Sequence, residues 1–404
     1  MRDWIELTVR SYGGSVAAVP VFRRDLYGRG NLQNPYPAYR QIRDLGPAVW
    51  LPGRKMWAIG RYDDVRAALR ADSALISGQG IAANDLVNGN ITPITLTSDG
   101  DVHLRRRGVL IQPVMPRPLK ELRPRLEAEA DRLMTELATG DEFDVMTRFA
   151  SHLPLTVVAE LVGLDDVGRK NMLRWAASTF DILGVLNARG LAAMPRLWEL
   201  SRYIQGLSRD KVAPGGWADR LFDAADRGEI SDDEARAMIV DYVGPALDTT
   251  ILATGVMIWQ LATTPGAFDA VRTEPDLVPS VVNEAVRLAS PIRGFTRYAA
   301  EDYDADGMLI PKGSRVLVLF ASANRDERHY PQPDIFDLRR NPRDHVGWGH
   351  GPHACVGMHL ARLEMEVLLA SLLARVERIE VGTPKLAWNN VLQGFRSLPA
   401  RFIS

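Results

Sequence analysis

Apolar residues recur along most of this chain at the three-and-four spacing of helices, and short runs of branched and aromatic residues fall between them. Leu122, Leu126, Leu133 and Leu137 share one helical face, and Gly140 supplies the left-handed residue on which a helix stops. The same pattern predicts helices over about 145–165, 235–263, 276–289 and 357–376. Val49-Trp50-Leu51 and Met56-Trp57-Ala58-Ile59 flank Pro52-Gly53-Arg54-Lys55 and predict a hairpin, because Pro and Gly set the turn and the flanking side chains suit strands. A second hairpin is predicted from Met308-Leu309-Ile310 through Pro311-Lys312-Gly313 into Ser314 to Leu319. Long helices with scattered short strands imply a mainly α fold with small β-sheets, not a doubly wound sheet.

No internal repeat, heptad run or polar linker divides the chain, so residues 1–404 are read as a single domain. A formal net charge of -1 removes the global pull towards nucleic acid or an anionic membrane, so neither is expected as a partner. Met1 to Pro20 carries Arg2, Asp3, Glu6 and Arg10 and lacks the apolar stretch of a signal peptide or anchor. The one cysteine, Cys355, cannot form an intrachain disulfide. Together these features fit a soluble protein of a reducing cytoplasm.

That cysteine carries the chemistry. It stands in Gly347-Trp348-Gly349-His350-Gly351-Pro352-His353-Ala354-Cys355-Val356-Gly357, followed at once by a predicted helix from about Met358. A lone cysteine is ordinarily a small buried hydrophobe. Here, Gly349, Gly351 and Gly357 permit close backbone approach to a flat ligand, and the next helix turns free N–H groups and its positive end towards the sulfur. This arrangement is expected to favour thiolate over thiol.

The stretch resembles the cysteine-ligand signature of the cytochrome P450 family, Phe-Gly-x-Gly-x-x-x-Cys-x-Gly, with Trp348 in place of Phe. The resemblance implies heme b (iron protoporphyrin IX) with Cys355 as the metal ligand, and Trp348 and Gly357 beside it. It implies a heme buried between this loop and an oxygen-activating helix, and a separate ferredoxin or flavodoxin with its reductase passing on electrons from NAD(P)H. Three further motifs stand in the family's order. In His103-Leu104-Arg105-Arg106-Arg107, His103 and Arg107 match propionate-binding positions, as do Arg297 and His353; donors and cations suit carboxylates. Arg105 and Arg106 are then expected to be free, with Arg343 and Arg362, to face an acidic redox partner. Glu284 and Arg287, followed by Pro291, match a buried structural pair whose third member is Arg340.

Gly244-Pro245-Ala246-Leu247-Asp248-Thr249-Thr250 resembles the oxygen-activating helix, with Pro245 and Ala246 at the usual Ala/Gly-Gly pair. The resemblance assigns proton relay to Asp248 and Thr249 and places Ala246 against the heme, while Pro245 predicts a kink. The implied reaction inserts one atom of O2 into a substrate C–H bond. A peroxide-driven enzyme is a rival, which the Asp248/Thr249 pair disfavours; a heme sensor is another, which needs no relay.

Leu75 to Asp85, Ala213 to Gly216 and Leu392 to Pro399 are similar to a bacterial branch that oxidises para-substituted benzoates, often by O-demethylation. That implies a small aromatic substrate in a tight apolar pocket lined by Phe180, Leu183, Ile292 and Phe295. Gln79 and Val240-Asp241 stand where that branch has Arg and Arg-Ser. Asp241 in the pocket would repel a benzoate, accept a hydrogen bond from a phenol or pair with an amine. The enzyme is expected to act as a monomer.

Overall fold

The computed structural model describes residues 8–10, 16–90, 92–245 and 247–404. Helices dominate. Pro116–Leu137, Asp166–Leu183, Ala188–Gln205, Asp232–Val243, Asp248–Thr263, Val278–Ala289 and Met358–Arg375 are the principal ones, and the strands are short. Asp248–Thr263 runs through the interior, with Ile251, Ala253, Met257, Ile258 and Leu261 buried. A helix this apolar on all sides is stable only inside a large core. Met358–Arg375 packs against both Pro116–Leu137 and Val278–Ala289.

The largest sheet has five strands in the order Val49–Leu51, Met56–Ile59, Arg315–Val318, Phe295–Ala299, Leu75–Ile76. The first predicted hairpin is present, pairing Val49 with Ala58 and Leu51 with Met56. The second is not. Met308–Ile310 pairs instead with Tyr303–Ala305, across a turn in which Asp306 and Gly307 both take positive φ. Asp-Gly is the stronger two-residue turn signal, and it leaves Arg315–Val318 free to enter the central sheet, parallel to Met56–Ile59 and antiparallel to Phe295–Ala299.

The span 235–263 is likewise two helices, not one. The first ends at Val243 and the second begins at Asp248. Pro245 lacks an N–H and cannot continue the first helix, so the predicted kink is a full break. Glu284 and Arg287 are both fully buried and joined by two bonds of 2.7 Å. Arg340 completes the group at 3.2 Å from Glu284, and Arg287 also donates to the carbonyls of Asn324 and Pro333. The pair therefore pins the segment 324–340 to the helix Val278–Ala289.

Candidate active site: a cysteine facing an interior cavity

The cysteine loop is shaped by two glycines. Gly349 and Gly351 have φ of 68° and 69°, which side-chain-bearing residues rarely adopt, and a Cβ on Gly351 would strike the Leu69 carbonyl. Gly357 has ordinary backbone angles; its requirement is nearness, since a Cβ there would sit 4.0 Å from Cys355 Sγ. Cys355 N–H donates to the Trp348 carbonyl at 2.7 Å, which closes the loop on itself.

Cys355 opens onto a cavity of about 1460 Å³ deep in the molecule. The N–H groups of Gly357 and Met358 and the charge of Arg107 favour its thiolate, yet burial outweighs them and pushes the thiol up. A metal cation bound to the sulfur would further favour the thiolate.

His103, Arg107, Arg297 and His353 converge on this cavity from three elements. The His103 and His353 rings lie 4.2 Å apart, and Arg107 donates to the Ala354 carbonyl at 2.7 Å. Asp99 stands 3.8 Å from His353. Burial pulls His103 down to about 4 and Arg297 down to about 10. His103 Nε2 is buried without a partner, and the hydrogen bond found for Arg297 goes to the neighbouring Thr296 carbonyl. Buried donors in this state call for anionic acceptors. Among the described residues no three His, Cys, Asp or Glu side chains gather as a metal cage. One sulfur plus a cluster of N–H donors, two of them arginines, therefore fits a flat metal macrocycle bearing carboxylates.

Across the cavity, Thr249 lines the wall and its Oγ1 donates to the Pro245 carbonyl at 3.1 Å, across the helix break. Asp248 does not line the cavity. Its carboxyl is buried, Oδ2 has no partner, and burial pushes it up to about 7. Ala246 lies outside the described residues.

Phe180, Leu183, Ile292, Phe295 and Asp241 all line the cavity. Gln79 does not: it lines a separate crevice with Tyr298 and Arg315, where its carbonyl accepts from Arg315 at 3.1 Å. The Asp241 acceptor expected to serve a phenol is engaged, taking the Thr95 N–H at 3.0 Å, and burial pushes this carboxyl up to about 6. The cavity extends to the protein surface. It reaches the exposed Leu86, Met194 and Trp198 at its outer end.

Arg105 and Arg106 are not free. Both pair with Glu234, at 2.8 and 3.0 Å, and Arg106 is buried. Sequence reasoning missed Glu364, which is buried on the cavity wall with Oε1 unpartnered and its carboxyl well above the usual range. The signal was legible: Glu364 stands on the apolar stripe Leu360, Ala361, Leu368 of its helix.

Known proteins share this arrangement. The sequence profile described as Cytochrome P450 matches residues 217–387. Cytochrome p450 CYP199A2 of Rhodopseudomonas palustris is 34% identical over 389 residues, covering 95% of this chain and 94% of that protein. The chain belongs to the cytochrome P450 family. A second P450 relative, 6-deoxyerythronolide B hydroxylase of Saccharopolyspora erythraea, is 31% identical over 395 residues, covering 91% of this chain and 95% of that one. The crystal structure of CYP109B1 from Bacillus subtilis superposes with a TM-score of 0.76 at 26% identity, covering 94% of this chain and all of that P450. As a P450 the protein is a monooxygenase of the bacterial type that holds heme b and draws electrons from NAD(P)H through redox partners. No single helix among the described residues is long and apolar enough to cross a membrane.

Proposed function

We propose that this P450 works as one monomeric domain that oxidises small substituted aromatic compounds, by hydroxylation or O-demethylation, with a ferredoxin as electron donor. The observation that carries the oxygen chemistry is the shared cavity, with Cys355 on one wall, Thr249 on the other and the His103, Arg107, Arg297, His353 cluster at its edge. When bound, a thiolate-ligated heme supplies reductive activation of O2, so that two electrons and two protons leave one oxygen atom in the substrate and the other in water. The four basic residues hold and orient its carboxylates. Thr249, its hydroxyl fixed by the Pro245 carbonyl, presents an oxygen to the cavity that can accept and pass a proton. Asp248 sits one residue away with a carboxyl near neutrality, which suits a proton donor at working pH.

The substrate class rests on the resemblance to the benzoate-oxidising branch and on Phe180, Leu183, Ile292 and Phe295, which give the inner wall an apolar, aromatic surface. The negative field of Asp241 disfavours a carboxylate there. Arg343 and Arg362 have no acidic partner within ion-pair distance among the described residues, and Arg362 lies over the Trp348 ring at 5.9 Å, so these two support docking of an acidic ferredoxin on the cysteine side. Heme spin-state titration with a methoxyphenol and with 4-methoxybenzoate tests the substrate reading. The phenol is expected to bind more tightly to the wild type, and Asp241→Ser to narrow the gap. Tighter benzoate binding by the wild type would overturn it.

A further inference from the structure

Asp241 is a half-buried carboxylate on the cavity wall, and its acceptor is directed at backbone. Thr95 N–H donates to its Oδ2 at 3.0 Å, and the Leu96 N–H faces the same group. Thr95 and Leu96 belong to the short turn Thr95–Thr97, and residues 94–97 all line the cavity. The turn is wired internally: Ile94 N–H donates to Thr97 Oγ1 at 3.0 Å, and Ser98 Oγ donates to the Thr95 carbonyl at 2.8 Å. Its outward neighbours Thr92 and Pro93 are exposed. The turn is thus a compact plug between the cavity and solvent, and what fastens it matters.

Its chain anchor lies downstream, where Asp99 accepts from Ser77 N–H at 2.8 Å and Gly78 N–H at 2.6 Å. Laterally, Arg106 donates to the Ile94 carbonyl at 3.3 Å, a long bond. Among the described residues, the remaining lateral hydrogen bond to the turn is that of Asp241. Without it, two inward-facing N–H groups would lose their acceptor, and a buried donor without an acceptor is expensive.

The helix that carries Asp241 is fixed independently of this tie. Glu234 near its start holds Arg105 and Arg106, and the Tyr242 hydroxyl donates to the Leu110 carbonyl at 2.8 Å, both on the helix Gly100–Leu110. Releasing Asp241 therefore frees the turn and leaves the two helices joined.

We infer that Asp241 is a positioning residue that clamps the Thr95–Leu96 turn over the cavity, and that this clamp restricts which ligands enter and fit. The carboxylate acts through the turn and not by touching the reacting atoms. This reading rests on the cavity being the P450 substrate chamber and is independent of the substrate class proposed above.

The test uses the heme-loaded full chain as wild type, Asp241→Asn and Asp241→Ala. Hydrogen exchange of the Thr95 and Leu96 amides is measured together with the association rates of imidazole and of the bulkier 4-phenylimidazole, which bind heme iron whatever the natural substrate. In Asp241→Ala those two amides are expected to exchange at least about tenfold faster, as befits the loss of a charge-assisted bond. The bulky ligand should gain in rate more than imidazole, with exchange in the Pro116–Leu137 helix unchanged. Asp241→Asn keeps one acceptor oxygen and should restore much of the protection. Wild-type exchange at Thr95 and Leu96 in Asp241→Ala, or faster exchange throughout the molecule with the ligand ratio unmoved, would overturn the inference. A failed phenol-over-benzoate preference would leave it standing.

Discussion

Asp248 illustrates what this chain tolerates for its chemistry. A carboxyl in the first turn of the interior helix, with Oδ2 buried and unpartnered, is held near 7 instead of its ordinary 3.8. A group whose folded-state pKa is raised favours the folded state only while protonated, so the benefit present below pH 4 is lost as pH rises through about 7. Asp248→Asn removes the penalty. By thermal or denaturant unfolding the variant should be more stable than wild type at pH 8, by up to about 4 kcal/mol for a shift of roughly three units, and no more stable near pH 4. Turnover should fall in the same variant if Asp248 is the proton donor proposed above. Equal stability at pH 8 would mean that the carboxyl has a partner or reaches water. Thr249 is subtler: its hydroxyl bonds back to a carbonyl four residues earlier, as any helical threonine can, and its distinction is that it also lines the cavity.

Elements differ in how readable they were from residues alone. The interior helix, the Met358–Arg375 helix and the first hairpin follow from apolar spacing and turn chemistry, which are local. The break at Gly244–Leu247 was readable from Pro245. Strand partners were not: Met308–Ile310 and Arg315–Val318 were legible as strands, but their pairing was decided by Asp306-Gly307 and by Met56–Ile59, more than 250 positions upstream. The same holds for Arg105 and Arg106, whose partner Glu234 lies 129 and 128 positions away. The Glu284/Arg287 pair was recognised by family pattern, and its fully buried geometry makes it a structural commitment. Arg287→Leu would remove both 2.7 Å bonds to the fully buried Glu284 and leave it with Arg340 at 3.2 Å and the Asp337 N–H, at a cost of up to about 3–5 kcal/mol. Urea unfolding should show that loss together with poor heme retention; a change under about 1 kcal/mol would mean that Arg340 by itself compensates Glu284.

On the scale of the whole molecule, the site assembles from positions more than 250 residues apart: His103 and Arg107, then Thr249, Arg297, and finally His353 and Cys355 on one cavity. The cysteine and the basic cluster were legible because their chemistry is rare in such spacing. Gln79 was misplaced, and the cavity's reach to Trp198 was missed, because both depend on how the loop over 77–97 and the helix Ala188–Gln205 fold across the opening. We expect Cys355 sulfur to ligate the heme iron as a thiolate, favoured by the N–H groups of Gly357 and Met358 and the charge of Arg107. The most direct test is the absorption spectrum of the reduced, heme-loaded protein under carbon monoxide, for wild type and Cys355→Ser. The wild type should show the strongly red-shifted band that a thiolate ligand would produce, and Cys355→Ser should lose it while the His103, Arg107, Arg297 and His353 cluster still retains heme. A red-shifted band that survives in Cys355→Ser, or is absent from the wild type, would contradict the account.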